Sequence, residues 1–472
     1  MPLTLGVDIG TTKTCALALD TETRKVVALG HADTPSADPG PLALGRREFD
    51  PHAMAEASAA ALRQCVSRLG ARIGELAGLA FTGQQHGMLL VDGGLRPLTP
   101  FVNWQDGRGG ELGPDGRTWL EGASDRMGVE AWRVTGCRIA SGYLGLTLHW
   151  LAEQGAAPPG ARACLITGYL AALLTDGALA TDPTMAASSG LLDVRRRAWS
   201  RPMLEALGLP ERLLPPVREA GEPLGSLTAE WARRTGLPAG LPLFVGLGDN
   251  QAGFLGSVPS AEGAELVNVG TGAQVARFAA EAPPPDADLP PELEIRPYPR
   301  SGYLVVFAEV SGGRSYAALQ TLYRDLLGAF GVAAGKEQVY ARMAELAAQA
   351  PPGAAGLVCD PRFAGTRSDP ALRGSLTGLS EANLTPGGLA RAALEGMAAS
   401  MHAGSGAITR LVGHPPAVLI GAGNGIRRNP LLAAILSERF GLPLSLPPQS
   451  EEAALGAAMV AGWGVGAEGV RR

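Results

Sequence analysis

Asp8 closes an apolar stretch and is followed by Gly10-Thr11-Thr12-Lys13. A turn of glycine and small hydroxyl residues exposes backbone N–H and hydroxyl groups that suit phosphate oxygens. An aspartate at the end of the preceding strand can hold Mg²⁺, directly or through water. The same residues also close ordinary hairpins, so one copy decides nothing. Gly270-Thr271-Gly272 repeats the pattern with the same two readings, and Gly421-Ala422-Gly423-Asn424-Gly425 adds a third Gly-rich turn. Together they point to a nucleotide clasped between two halves. Lys13 is not a Walker lysine, because no G-x-x-x-x-G-K-[ST] precedes it. It could reach a phosphate or sit in solvent. Asp249 ends another apolar run, and its plainest reading is a helix N-cap, since Asn250-Gln251-Ala252 could begin a helix.

The elements that must position these residues are legible in outline. Residues 3–9 and 14–20 read as the strands of an opening β-hairpin around Gly-Thr-Thr. Residues 51–70 place Ala55, Ala59, Leu62, Val66 and Leu69 at helical spacing. Leu76–Thr82 reads as a buried strand, and strand and helix patterns go on alternating, which predicts α/β layers. The strand-then-turn element returns at Leu243–Asp249, at Glu265–Gly272 and at Ala417–Gly425. The expected organisation is therefore two similar α/β domains, 1–245 and 246–472, flanking a central cleft. The Pro-rich run Pro283–Pro291 reads as an exposed loop, because consecutive prolines supply no ladder donors.

Composition narrows the function classes. At 472 residues the chain can bury a large core without staples. Forty Lys and Arg against 45 Asp and Glu leave a net charge of −5, the wrong sign for gripping nucleic acid or an anionic membrane by charge. Only three of the basic residues are lysines (Lys13, Lys25, Lys336). Five scattered cysteines without C-x-x-C spacing argue against a disulfide framework or a zinc site. The opening residues lack the pattern of a signal peptide, and Ala453–Val465 is too short and Gly-rich to span a bilayer. A cytoplasmic location is expected.

The motifs, taken in order, resemble the FGGY carbohydrate kinases of the actin/Hsp70/sugar-kinase superfamily. The matching segments are Leu5–Lys13, Thr82-Gly83-Gln84-Gln85-His86-Gly87, Trp104-Gln105-Asp106-Gly107-Arg108, Gly248-Asp249-Asn250-Gln251-Ala252, Asn268–Gly272, Gly421–Asn429 and Glu452–Gly456. The resemblance implies two actin-like (ribonuclease H-like) ATPase domains, with sugar bound mainly to the first and MgATP to the second. It makes Asp249 the base that takes the acceptor proton, with Asp8 and Asp249 at the metal. It places Gln85, His86, Trp104, Asp106, Arg108, Asp249 and Asn250 at the sugar. An ion pair between Asp106 and Arg108 is an equal reading. Nucleotide contacts fall to Gly10, Thr11, Thr12, Lys13, Gly270, Thr271, Gly312, Gly313, Gly421, Gly423 and Asn429. Gln85 stands where close relatives usually have methionine, and Ala422 and Asn424 depart from the commoner Gly-Gly-Gly-Ala. Within the family, the motif set is most similar to members acting on sedoheptulose, then to those acting on xylulose.

The implied activity is ATP- and Mg²⁺-dependent phosphorylation of a terminal ketose hydroxyl, with a homodimer expected from the habit of similar kinases. The rival from another class is an actin-like or Hsp70-like ATPase switch without sugar substrate. That rival shares the phosphate turns but has no use for Gln85-His86 or the 104–108 motif. A catalytically idle sugar-binding homologue is a third reading, disfavoured because both aspartates are in place.

Overall fold

The computed structural model describes residues 2–36, 45–270, 272–284, 287, 289–310, 312–363, 365–366 and 371–470. The first strand shows why the fold starts as it does. β1 (Leu3–Ile9) alternates strictly, with Leu3, Leu5, Val7 and Ile9 buried in one hydrophobic core and Thr4, Gly6 and Asp8 on the other face. It pairs antiparallel with β2 (Lys13–Asp20), which pairs antiparallel with β3 (Lys25–Asp33). The amphipathic α1 (Pro51–Leu69) is capped by the Asp50 side chain and contributes Met54, Leu62 and Cys65 to the same core. β4 (Leu76–Gly83) then pairs parallel with β1. The short α2 (Pro183–Ala187) follows, with β5 (Pro223–Ser226), β6 (Pro242–Gly248) and α3 (Asp249–Ser257) completing this part of the chain. The strands lie in the order β3-β2-β1-β4-β6-β5.

A second sheet contains β7 (Ala264–Val269), β8 (Ala273–Ala279), β9 (Tyr303–Val310), β10 (Val418–Ala422) and β11 (Leu444–Ser445). These five lie in the order β9-β8-β7-β10-β11. β7 is antiparallel to β8 and parallel to β10, repeating the relation of β1 to β2 and β4. The repeat of strand-and-turn signals in the sequence thus corresponds to one topology used twice. The helices of this sheet's unit include α4 (Gly312–Ala329) and α5 (Pro430–Phe440). After them α6 (Glu452–Gly464) packs on the first sheet.

The chain divides into two compact units, and the division is interleaved. One holds Met1–Ser257, Ile295–Tyr303 and Glu451–Arg472; the other holds Val258–Glu294 and Leu304–Ser450. Residues 246–257 stay with the first unit because β6 pairs with β4 inside its sheet and α3 packs against α6. In the Pro-rich run, Pro283 and Leu289 are buried while Pro284 is exposed, so that loop is only partly solvated. Among the described residues, no helix is long and apolar enough to cross a membrane.

Candidate functional site

The parallel strands of the first sheet bring its chemistry to one edge. Asp8 is level with Thr82, Ile9 with Gly83, and Gly83 with Gly248. The Gly10–Thr12 turn, the Gln84–Gly87 loop and Asp249 therefore all leave the sheet together, at the carboxyl ends of β1, β4 and β6. Ligands of open α/β sheets bind at such ends. Five buried polar atoms gather there without a hydrogen-bond partner: Asp8 Oδ1, Thr82 Oγ1, Gln84 Nε2 and both amide atoms of Asn250. Buried polar groups are normally paired, so a cluster of unpaired ones marks a place where a polar ligand completes the set.

Two carboxylates share this edge. Burial pushes Asp8 up to about 7, helped by the nearby charges of Asp249 and Glu451 and opposed by Lys13. Burial pushes Asp249 up to about 6, with Arg296 and the Asn250 N–H pulling the other way. Asp249 opens α3, and its Oδ1 accepts the Asn250 N–H at 2.8 Å. Its position at the helix start is consistent with a capping role and leaves room for another. Lys13 lies at the start of β2, where its Nζ meets Glu451 Oε1 at 2.8 Å.

The Gly10 turn is braced from three sides. Gly10 N–H donates to the Lys13 carbonyl at 3.1 Å, and Thr34 Oγ1 donates to the Gly10 carbonyl at 2.9 Å. Trp104 Nε1–H donates to Thr11 Oγ1 at 3.2 Å, while 39% of Trp104 remains exposed. Thr12 is exposed and accepts the Thr34 N–H through its carbonyl.

Gln85 is held by Gln251 of the Gly248–Ala252 motif, and Gln85 and His86 are both held by residues the sequence did not single out, Thr184 and Ser188. Gln85 Nε2 donates to Gln251 Oε1 at 2.9 Å and to the Thr184 carbonyl at 3.2 Å. His86 adopts φ +81°, a conformation uncommon for any residue but glycine. Its N–H donates to Ser188 Oγ, and Nδ1 donates to the Ser188 carbonyl at 2.8 Å, fixing that ring tautomer. The imidazole stacks on Tyr143 with centroids 4.1 Å apart. The Thr184 and Ser188 contacts trace to α2, on it and at its C-cap. Asp182 caps it through the N–H groups of Thr184 and Met185 at 3.0 Å, and Thr184 Oγ1 accepts the Gly248 N–H at 2.7 Å. One short helix thus fixes the Gln85-His86 loop and the peptide just before Asp249. Its sequence signal, Asp182-Pro183-Thr184, is an N-cap followed by proline at the first helical position.

Asp106 and Arg108 face each other in the interior, at 1% and 2% exposure. Arg108 Nε donates to Asp106 Oδ1 at 2.7 Å, and its Nη2 reaches Glu48 Oε1 at 2.6 Å. Asp106 Oδ2 accepts the Arg47 N–H at 2.7 Å. The guanidinium also lies over the Trp150 ring. Of the two readings given for this pair, the ion pair is the one these contacts describe.

In the second unit β7 and β10 likewise end together, Asn268 being level with Ala422. Gly270 N–H donates to the Gly272 carbonyl at 2.9 Å, and Gly313 N–H donates to the Gly270 carbonyl at 3.0 Å. A Cβ on Gly312 would stand 2.5 Å from the Gly272 backbone, so α4 can abut the turn only with glycine there. Gly423 has φ +82°, and a Cβ on it would meet Asn268 Oδ1 at 2.4 Å. Gly421 backs onto Leu444, and Asn429 caps α5 through the Leu432 N–H at 3.1 Å. Thr271 lies outside the described residues.

Comparison with known proteins gives this arrangement its family. Residues 3–256 match the N-terminal domain of the FGGY family of carbohydrate kinases, and residues 278–465 match its C-terminal domain. The glycerol kinase of Alkalilimnicola ehrlichii is 29% identical over 492 residues, covering 100% of this chain and 92% of that protein. The sedoheptulokinase of Homo sapiens is 27% identical over 496 residues, covering 97% of each. The crystal structure of xylulose kinase from Rhodospirillum rubrum aligns with a TM-score of 0.83 at 27% identity, covering 98% of this chain and 90% of that one. Three different acceptors at nearly equal identity support one fold and one class of chemistry, two actin-like α/β domains and phosphoryl transfer to a hydroxyl. The chain belongs to the FGGY family of carbohydrate kinases.

Proposed function

We propose that this carbohydrate kinase phosphorylates a terminal hydroxyl of a ketose, with sedoheptulose to sedoheptulose 7-phosphate as the leading reaction. Xylulose, or another pentulose or polyol, is the second reading, favoured by the xylulose kinase similarity. The observation that carries the proposal is the set of unpartnered polar atoms beside Asp8 and Asp249 at one sheet edge. A polyol offers many hydroxyls able both to donate and to accept, the kind of ligand that would satisfy Thr82, Gln84 and Asn250 together.

In this reading Asp249 takes the acceptor proton as the new O–P bond forms and the bond to ADP breaks. One oxygen is occupied by the Asn250 N–H, which leaves the other for the hydroxyl. Its raised affinity for a proton makes it a better base than an ordinary carboxylate while it stays mostly ionised at neutral pH. His86, locked by Ser188 and Tyr143, and the half-open face of Trp104 position the sugar. Gln85 acts through Gln251 and Thr184, as a brace for the loop that carries His86. Gly10, Thr11, Thr12 and Lys13 are assigned to the phosphates; Gly270, Thr271, Gly312, Gly313, Gly421, Gly423 and Asn429 are assigned to the rest of the nucleotide. Asp8 and Asp249 offer hard carboxylate oxygens, one of them without a protein partner, and so fit a magnesium ion. Such an ion would neutralise charge on the phosphate oxygens.

Two measurements test this. Asp249→Asn is expected to lower kcat by about 10³-fold or more while ATP still binds; near-normal turnover removes Asp249 from the base role. A panel of sedoheptulose, xylulose, ribulose, fructose and glycerol in a coupled ADP-release assay is expected to give the highest kcat/KM with a ketose. Glycerol at the top of that ranking, or sugar-independent hydrolysis, overturns the ketose assignment.

A further inference from the structure

One cluster in the first unit is assigned no role in the reaction proposed above, although Glu451 in it meets Lys13, which is assigned to the phosphates. β2 and β3 place Cys15 directly opposite His31, and Glu451 stands at the N-cap of α6 beside them. One ligand atom from each of the three lies within 4.8 Å of the other two. Cys15 is 1% exposed, and His31 Nδ1 is buried without a hydrogen-bond partner. We propose that Cys15, His31 and Glu451 bind a thiophilic divalent cation, with Zn²⁺ as the type.

The donor set selects the ion. One sulfur, one imidazole nitrogen and one carboxylate oxygen suit zinc, whereas magnesium takes oxygen ligands and holds its waters. With metal–ligand bonds of about 2.0–2.3 Å, tetrahedral ligand atoms stand about 3.5 Å apart. The observed spacing, within 4.8 Å, exceeds that by little more than about 1 Å at most. Three protein ligands leave a fourth position for water. On binding, the Cys15 S–H bond breaks, its proton goes to solvent, and a Zn–S bond forms. The thiolate and carboxylate then balance the charge of the ion. Glu451 gives up its contact with Lys13, whose side chain is 46% exposed and free to swing into solvent. The scattered spacing of the cysteines argued against a zinc site, because the three ligands come together only through strand register and through a helix more than 400 residues away.

The test uses the purified full-length protein, titrated with Zn²⁺ against a chromophoric chelator and with Co²⁺ by absorption, in excess Mg²⁺. One equivalent is expected to bind, with a thiolate-to-cobalt charge-transfer band. Cys15→Ser is expected to abolish the band, and Cys15→Ser and His31→Gln each to weaken Zn²⁺ binding roughly 10–100-fold or more. Circular dichroism and thermal unfolding report whether each variant is folded. Should Cys15→Ser fail to fold, His31→Gln decides alone. Unchanged affinity in a folded variant, absence of the band, or displacement of Zn²⁺ by Mg²⁺ overturns the proposal.

Discussion

Asp8 and Asp249 are held where ionisation is costly, and that cost is measurable in the ligand-free protein. Their folded pKa values, about 7 and about 6, lie above the ordinary value of 3.8. A carboxyl raised in this way stabilises the fold below its unfolded pKa and loses that contribution as pH climbs through the folded value. Stability of the ligand-free protein should therefore decline between about pH 4 and pH 7, from the unfolded value to the folded ones. Asp8→Asn should raise the unfolding free energy at about pH 8 by on the order of 2–4 kcal/mol, with the gain fading only by about pH 4. Urea unfolding at the two pH values checks this; a gain that does not change with pH would refute it. Both aspartates were legible in the sequence because each ends an apolar run close to a glycine, Gly10 for Asp8 and Gly248 for Asp249. Thr184 and Ser188 were not, since hydroxyls gain meaning only once α2 is set against the 84–87 loop.

Elements meet here through glycines whose missing side chains admit another backbone. α3 and α6 cross so closely that a Cβ on Gly256 would lie 2.0 Å from the Glu452 carbonyl, and one on Gly456 would lie 2.1 Å from the Ala252 carbonyl. Gly253, on the same helix, has nothing within 4 Å of its missing Cβ. Two identical substitutions on one helix should therefore have opposite effects. Gly256→Ala is expected to cost about 1–3 kcal/mol by forcing the helices apart, while Gly253→Ala should gain about 0.5–1 kcal/mol from helix propensity. Denaturant midpoints at a common slope decide between this and a uniform propensity effect. β1, β2, α1 and β4 could be read from period and turn chemistry alone. The shared strand order of the two sheets could not, because it is set by pairings between segments far apart in the chain.

At the scale of the molecule, sequence order and spatial grouping disagree. The motifs showed that two α/β halves exist, but a cut at 245 passes through β6, an inner strand of the first sheet. The first unit also needs residues 295–303 and 451–472. A fragment ending at Ser257 would leave Thr4, Gly6 and Gly256 without the helix that covers them. Such a fragment is expected to bind a hydrophobic dye and to unfold without a cooperative transition; a sharp urea transition would contradict this. The Thr4 hydroxyl donates to the carbonyl of Ala458, 454 positions along the chain, at 2.8 Å. Translation at about 5–20 residues per second puts roughly 20–90 s between the emergence of those two partners from the ribosome. During that interval the nascent first sheet carries one uncovered face, a binding surface for chaperones and a hazard when many copies are made at once.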